Sequence, residues 1–123
     1  MIFYENDFFI LSISDGILSL EYRPETTIDL IAAQSIVAKR MQVQEDKIYP
    51  LILDMRNVID SDKSGRDHLA QYGFVLTKAT AILVNPGVSA IIASFYLKRY
   101  TCEVPVQVFT EKLKAVEFLK TFK

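Results

Sequence analysis

The chain carries one cysteine and one histidine among its 123 residues, and no apolar run approaches the roughly 20 residues that a bilayer-spanning helix needs. The lone Cys102 cannot close an internal disulfide, and a thiol outside any stapled framework fits a reducing compartment. With one imidazole and one thiol, a site of three or four metal ligands falls to carboxylates. Asp54, Asp60 and Asp62 offer only a weak magnesium-type oxygen set, so no metal is expected. Excess basic charge is missing as well. Lys and Arg number 14 against 15 Asp and Glu, a formal net charge of -1 that argues against a nucleic-acid partner. The first residues include Glu5 and Asp7 where a signal peptide carries basic residues, so a cytoplasmic location is expected.

Catalytic signatures are absent in the same way. There is no Walker A loop, no G-x-G-x-x-G fingerprint and no G-x-S-x-G elbow, which leaves no cofactor to expect. Ser, His and Asp do cluster between positions 54 and 68, but not at a spacing that a nucleophilic triad uses. A binding or regulatory module is expected rather than an enzyme.

What is present is ample material for a core: half of the residues are apolar and 24% are charged, enough for one domain over 1–123. Phe8 to Ser14 and Ile17 to Arg23 read as strands joined by Asp15-Gly16, a dipeptide suited to a tight hairpin turn. Pro24 ends the second strand. Thr26 to Asp29 then offers caps for a helix from Leu30 to about Val43, with Leu30, Ala33, Val37 and Met41 as its inward stripe and Gln34, Lys39 and Arg40 facing solvent. The runs Leu51 to Met55 and Ala79 to Val84 are apolar without alternation, the pattern of strands covered on both faces.

Helices are expected over Ser64 to Val75, with Leu69 and Tyr72 inward, and after Asn85-Pro86, with Val88, Ile91, Ile92 and Phe95 along one face. A strand from Val104 to Phe109 and a helix capped by Thr110 complete the chain. The order β-β-α-β-α-β-α-β-α implies an α/β fold: one mixed, mostly parallel sheet with an N-terminal β-hairpin and covering helices.

In open α/β sheets, ligands gather beyond the carboxyl ends of the parallel strands. Here that directs attention to the loop after the third strand. Asp54, Arg56, Asp60, Asp62, Lys63, Arg66 and His68 are the candidate partner-binding residues, with Ser64 a candidate phosphoacceptor. The plain alternative is a solvated turn and a capped helix start, because Asp, Ser and Asn favour such places for local reasons. A receiver domain with Asp54 as its phosphoacceptor would need an acidic pair after the first strand. The chain has a hairpin turn there instead.

The strand Leu51-Ile52-Leu53-Asp54-Met55, followed by Asn57-Val58 and by Asp62-Lys63-Ser64-Gly65, resembles the STAS domain of bacterial anti-sigma-factor antagonists, the SpoIIAA-like type. That family places Asp-Ser-Ser-Gly at the start of the helix. Asp62, Ser64 and Gly65 match its Asp, second Ser and Gly, while Lys63 replaces the first Ser and Arg66 the usual apolar residue. The turn Asp15 to Leu18, the helix start Ile28 to Leu30 and the strand end Leu53 to Arg56 are similar to short bacterial STAS-like proteins. The resemblance implies a module that docks an unidentified protein partner through loop 56–65 and the following helix, with phosphorylation at Ser64. The alternative is a small-molecule or lipid-binding module with Phe95, Tyr96, Tyr100 and Phe109 around an apolar pocket, against an ordinary core role for those rings. The hairpin and the Val104 strand are the expected sheet edges, and a homodimer is expected through such edges or through apolar helix faces.

Overall fold

The computed structural model describes residues 2–98 and 104–122, so Tyr100 and Cys102 lie outside the described residues, as does the side chain of Tyr96. The elements run β1 (Ile2–Glu5), β2 (Phe9–Ser14), β3 (Ile17–Tyr22), β4 (Thr26–Ile28), α1 (Leu30–Gln44), β5 (Tyr49–Asp54), β6 (Val58–Ser61), α2 (Lys63–Tyr72), β7 (Thr77–Leu83), α3 (Val88–Lys98), β8 (Val106–Phe109) and α4 (Lys112–Lys120). The main sheet has the order β1-β2-β3-β5-β7-β8, while β4 and β6 form a separate two-stranded parallel sheet.

The hairpin forms where the sequence places it. Asp15 and Gly16 take φ values of 53° and 76°, the left-handed pair that a two-residue turn matching the strand twist requires. β3 then pairs in parallel with β5, β5 with β7, and β7 with β8. Such strands need cover on both faces, which is why β5 and β7 are apolar without alternation.

Three short strands escape the sequence reading. β1 returns antiparallel onto β2 through a turn in which Asn6 Oδ1 accepts from the backbone N–H groups of Phe8 and Phe9. The edges of the main sheet are therefore β1 and β8, and the hairpin lies one strand inside. β4 and β6 are short pieces in which turn residues mask any periodicity.

The sheet separates two apolar cores. On one face Leu11, Leu18, Leu20, Leu51, Leu53 and Ile82 pack with Ala33 and Ile36 of α1, Leu69 of α2 and Ile92 and Ala93 of α3. On the other, Ile17, Ile52, Ala79, Ala81 and Leu83 meet Ala115 and Leu119 of α4. The alternation of Leu51 and Leu53 against Ile52 shows the strand period directly.

Two helix faces differ from expectation. In α1 the buried residues are Ala32, Ala33, Ile36, Arg40 and Gln44, so Arg40 points inward instead of into solvent. Its guanidinium donates to Gln44 Oε1 at 2.6 Å and to the Gly73 carbonyl at 2.8 Å. Gln44 Nε2 in turn donates to the carbonyls of Lys47 and Leu76. The chain reversal after α2 leaves carbonyls that need donors once burial removes water, and the long side chains of α1 supply them.

The second difference is in α3, where Ile92 is buried while Val88, Ile91 and Phe95 are more than half exposed. α3 also begins after Gly87 rather than at an Asn85 cap, with the Gly87 carbonyl accepting from Ile91 N–H. Tyr72 of α2 is exposed, unlike its inward partner Leu69. The N-cap of α4 is Glu111, not Thr110, and it makes no side-chain cap bond.

Two stability outcomes follow. Leu53→Ala removes a buried side chain shared by three elements and is expected to cost about 2–5 kcal/mol in chemical denaturation. Tyr22 is buried with no protein partner for its hydroxyl, and burial raises its pKa above the ordinary value near 10, opposed in part by the positive charge of Arg40. The folded state thus holds this proton where the unfolded chain releases it, so stability falls as pH rises above about 10. Tyr22→Phe is expected to keep full stability at pH 7 and to flatten that alkaline decline. Urea midpoints at pH 7 and pH 11 check both statements.

Candidate functional site

The start of α2 is built on Asp62 and Gly65. Asp62 has the extended conformation of a helix cap, and its Oδ1 accepts from Gly65 N–H at 2.7 Å. Its own N–H donates to the Ile28 carbonyl at 3.0 Å. The same carbonyl stands against Gly65 so closely that a Cβ there would lie 2.7 Å from Ile28 O and 2.9 Å from the Asp29 carbonyl carbon and oxygen. The pattern Asp-x-x-Gly is thus explained by a cap and a backbone-to-backbone approach.

Between and beyond these anchors the side chains turn outward. Ser64 is exposed on the first turn, and Lys63 pairs with Asp67 at 2.8 Å. Arg66 reaches back, donating through Nη1 to Ser61 O and Ser61 Oγ, both at 2.9 Å. Its Nε is buried with no acceptor, and its guanidinium carbon lies 5.9 Å from the centre of the Phe95 ring. Asp60 accepts from Ser61 N–H, and the His68 ring lies 4.8 Å from that of Tyr72. Asp60, Asp62, Lys63, Ser64, Arg66 and His68 are therefore gathered on β6 and α2.

Asp54 and Arg56 belong elsewhere. Asp54 ends β5 on the side that faces α4, following the alternation of Ile52. Arg56 grips it with a two-pronged ion pair, Nε to Oδ1 at 3.0 Å and Nη2 to Oδ2 at 2.8 Å, while Arg56 N–H donates to the same Oδ1. That hydrogen bond raises the Arg56 pKa above its ordinary value; partial burial opposes the rise, and the charges of Asp54 and Glu21 add to it. The carboxylate is thereby committed to its own loop. Asn57 Nδ2 donates to Tyr22 O and Asn85 Nδ2 to Arg56 O, which fastens this loop to the neighbouring strand ends.

The sequence reading misses the apolar surface beside α2. Ile59 of β6 is 54% exposed, and β6 packs beside α3, whose Val88, Ile91 and Phe95 are similarly exposed. α3 is apolar nearly all round, so periodicity alone cannot select its buried side.

Of the four aromatics expected around an apolar pocket, the two whose side chains are described, Phe95 and Phe109, do not share one. Phe109 packs with Phe118 in the α4 core, whereas Phe95 stands on α3 across the sheet. A cleft of about 220 Å³ opens between α4 and the hairpin, but its wall mixes Ser12, Ser14, Ser19 and Lys112 with Ile17 and Ile52. Among the described residues no group of three or more His, Cys, Asp or Glu is placed to hold a metal ion, and no helix is long and apolar enough to cross a membrane.

A hairpin feeding a parallel sheet, with three helices on one face and one on the other, defines a SpoIIAA-like α/β fold. The comparison of structures agrees: an uncharacterized protein of the DUF3478 family from Shewanella loihica PV-4, with a SpoIIAA-like fold, superposes with a TM-score of 0.65 at 12% identity over 90% of this chain and 91% of that one. Residues 11–123 match the family DUF7793, a domain of unknown function, and the chain belongs to that family. Among curated proteins, no relative matches the chain.

The two halves of the Asp62–Gly65 motif separate experimentally. Gly65→Ala must push two backbone segments apart and is expected to destabilise the protein by about 1–3 kcal/mol. Ser64→Ala, on the exposed surface, is expected within about 0.5 kcal/mol of the parent. Paired thermal and urea unfolding curves measure the contrast.

Proposed function

We propose that this chain is a non-catalytic, cytoplasmic interaction module that docks a protein partner through loop 56–65 and α2. The observation that carries the reading is the exposed start of α2, held rigid by its cap and by Gly65, with the exposed Ile59 on the strand leading into it. A rigid scaffold under exposed polar and apolar groups is what a specific contact requires, because little order remains to be lost on binding.

Ser64 is the regulatory position in this reading. A phosphate there brings about -1.5 to -2 charges to the amino end of a helix, where backbone N–H groups and the helix dipole accept it. Lys63 and Arg66 lie nearby, but so do Asp62 and Asp67, so the change within the chain is small. A partner seated on that surface meets an unpaired charge that it must desolvate. Modification then blocks docking without refolding the module.

The test compares partner retention by the wild-type chain, Ser64→Ala and Ser64→Asp in cells that make the protein natively. Ser64→Asp is expected to lower retention about tenfold, equal to about 1.4 kcal/mol, with an unchanged circular dichroism spectrum. Equal retention by all three, with no phosphate found on Ser64, leaves the residue as an ordinary member of a helix turn.

A further inference from the structure

We propose that the exposed face of α3, with Ile59 beside it, seats an acidic amphipathic helix of the partner protein. This rests on the docking reading above and extends the contact from α2 onto α3.

Val88, Ile91 and Phe95 follow a three-and-four spacing, which stacks them along one side of α3. They are 54%, 56% and 51% exposed, and they form a ridge about 10 Å long at roughly 1.5 Å per residue. Ala93 on the opposite side of the helix and Ile92 beside the ridge anchor α3 in the core, so the fold does not need the ridge for its own packing. Single exposed apolar residues need no explanation; a contiguous row adjoining a second exposed Ile does.

Charge identifies the occupant. α3 contains no acidic residue, and the ring of Phe95 lies between two cations, Arg66 at 5.9 Å and Lys98 at 5.7 Å from its centre. Lys63, on the first turn of the neighbouring α2, is matched by Asp67. Arg66 and Lys98 have no carboxylate partner among the described residues, and Arg66 makes its side-chain bonds only to Ser61 O and Oγ. Two cations without a carboxylate partner among the described residues thus flank the apolar ridge. A ligand that buries the ridge and brings carboxylates to its borders answers both features.

A helix fits better than an extended peptide, because α3 offers knobs at helical spacing and no unpaired backbone edge for strand addition. An anionic bilayer would supply the same charge. It is disfavoured because lipid-binding patches use clusters of roughly four to eight basic residues, whereas two, Arg66 and Lys98, border this ridge.

The experiment places a photo-crosslinking phenylalanine at Ile91 and, in a second strain, at Ser64, in the full chain in cells that make it natively. Adducts are then mapped by peptide-level mass spectrometry. The expected result is an Ile91 adduct on a net-acidic partner segment with apolar residues three and four apart, its yield reduced about tenfold by Arg66→Glu and also by the fully surface-borne Lys98→Glu. Ile91 adducts on a basic segment or on lipid, or yields indifferent to both charge reversals, overturn the proposal. Adducts at Ser64 without any at Ile91 overturn it while leaving α2 docking intact. Adducts at neither position remove both readings.

Discussion

The carbonyl of Ile28 is the point on which the candidate site turns. It ends β4, accepts the N–H of Asp62 at the cap of α2, and stands where a Cβ of residue 65 would be. The junction of β4 with α1 is thereby held against the junction of β6 with α2. Close-packed interiors do not yield to an added methyl group without displacing something, and here the displaced atoms would be backbone. The approach therefore fixes how α2 leaves β6. It also decides that Lys63, Ser64 and Arg66 lie on the outside of the first turn.

At the other end of α1 the chain is held by charge rather than by closeness. Arg40 and Gln44, four residues apart and both buried, hold the carbonyls of Gly73, Lys47 and Leu76. Burying a guanidinium is costly, and the cost is offset only because its donors meet well-placed acceptors. The same positive charge acts on the buried Tyr22 hydroxyl. α1 is thus tied to the chain that follows α2, and its own C-terminal turn is closed by the same side chains.

The carboxyl ends of the parallel strands are where open α/β sheets usually bind ligands. In this chain that end is largely self-satisfied. Asp54 is locked to Arg56, and Asn57 and Asn85 fasten the loop to strand and helix starts. Off to one side, Arg66 keeps a buried Nε without an acceptor among the described residues, beside Phe95 of α3.

Local chemistry made much of this legible in advance. Asp15-Gly16 specifies a tight turn because only certain residues tolerate left-handed backbone, and the unbroken apolar runs of β5 and β7 mark strands buried on both faces. A capped helix start near Ser64 was legible too, although the cap is Asp62 and Ser64 lies exposed in the first turn. Illegible were β1, β4 and β6, whose pairing depends on partners distant in the chain, and the faces of α1 and α3. A long Arg can be aliphatic cover or a buried donor, and an all-apolar helix has no period to read. The sequence by itself determined the hairpin, the longer buried strands and the four helices, since those depend on residues within a few positions of each other. Only the tertiary structure decided that Arg40 faces inward, that Gly65 admits no side chain and that Phe95 stands between two cations, because each depends on a neighbour more than 20 positions away.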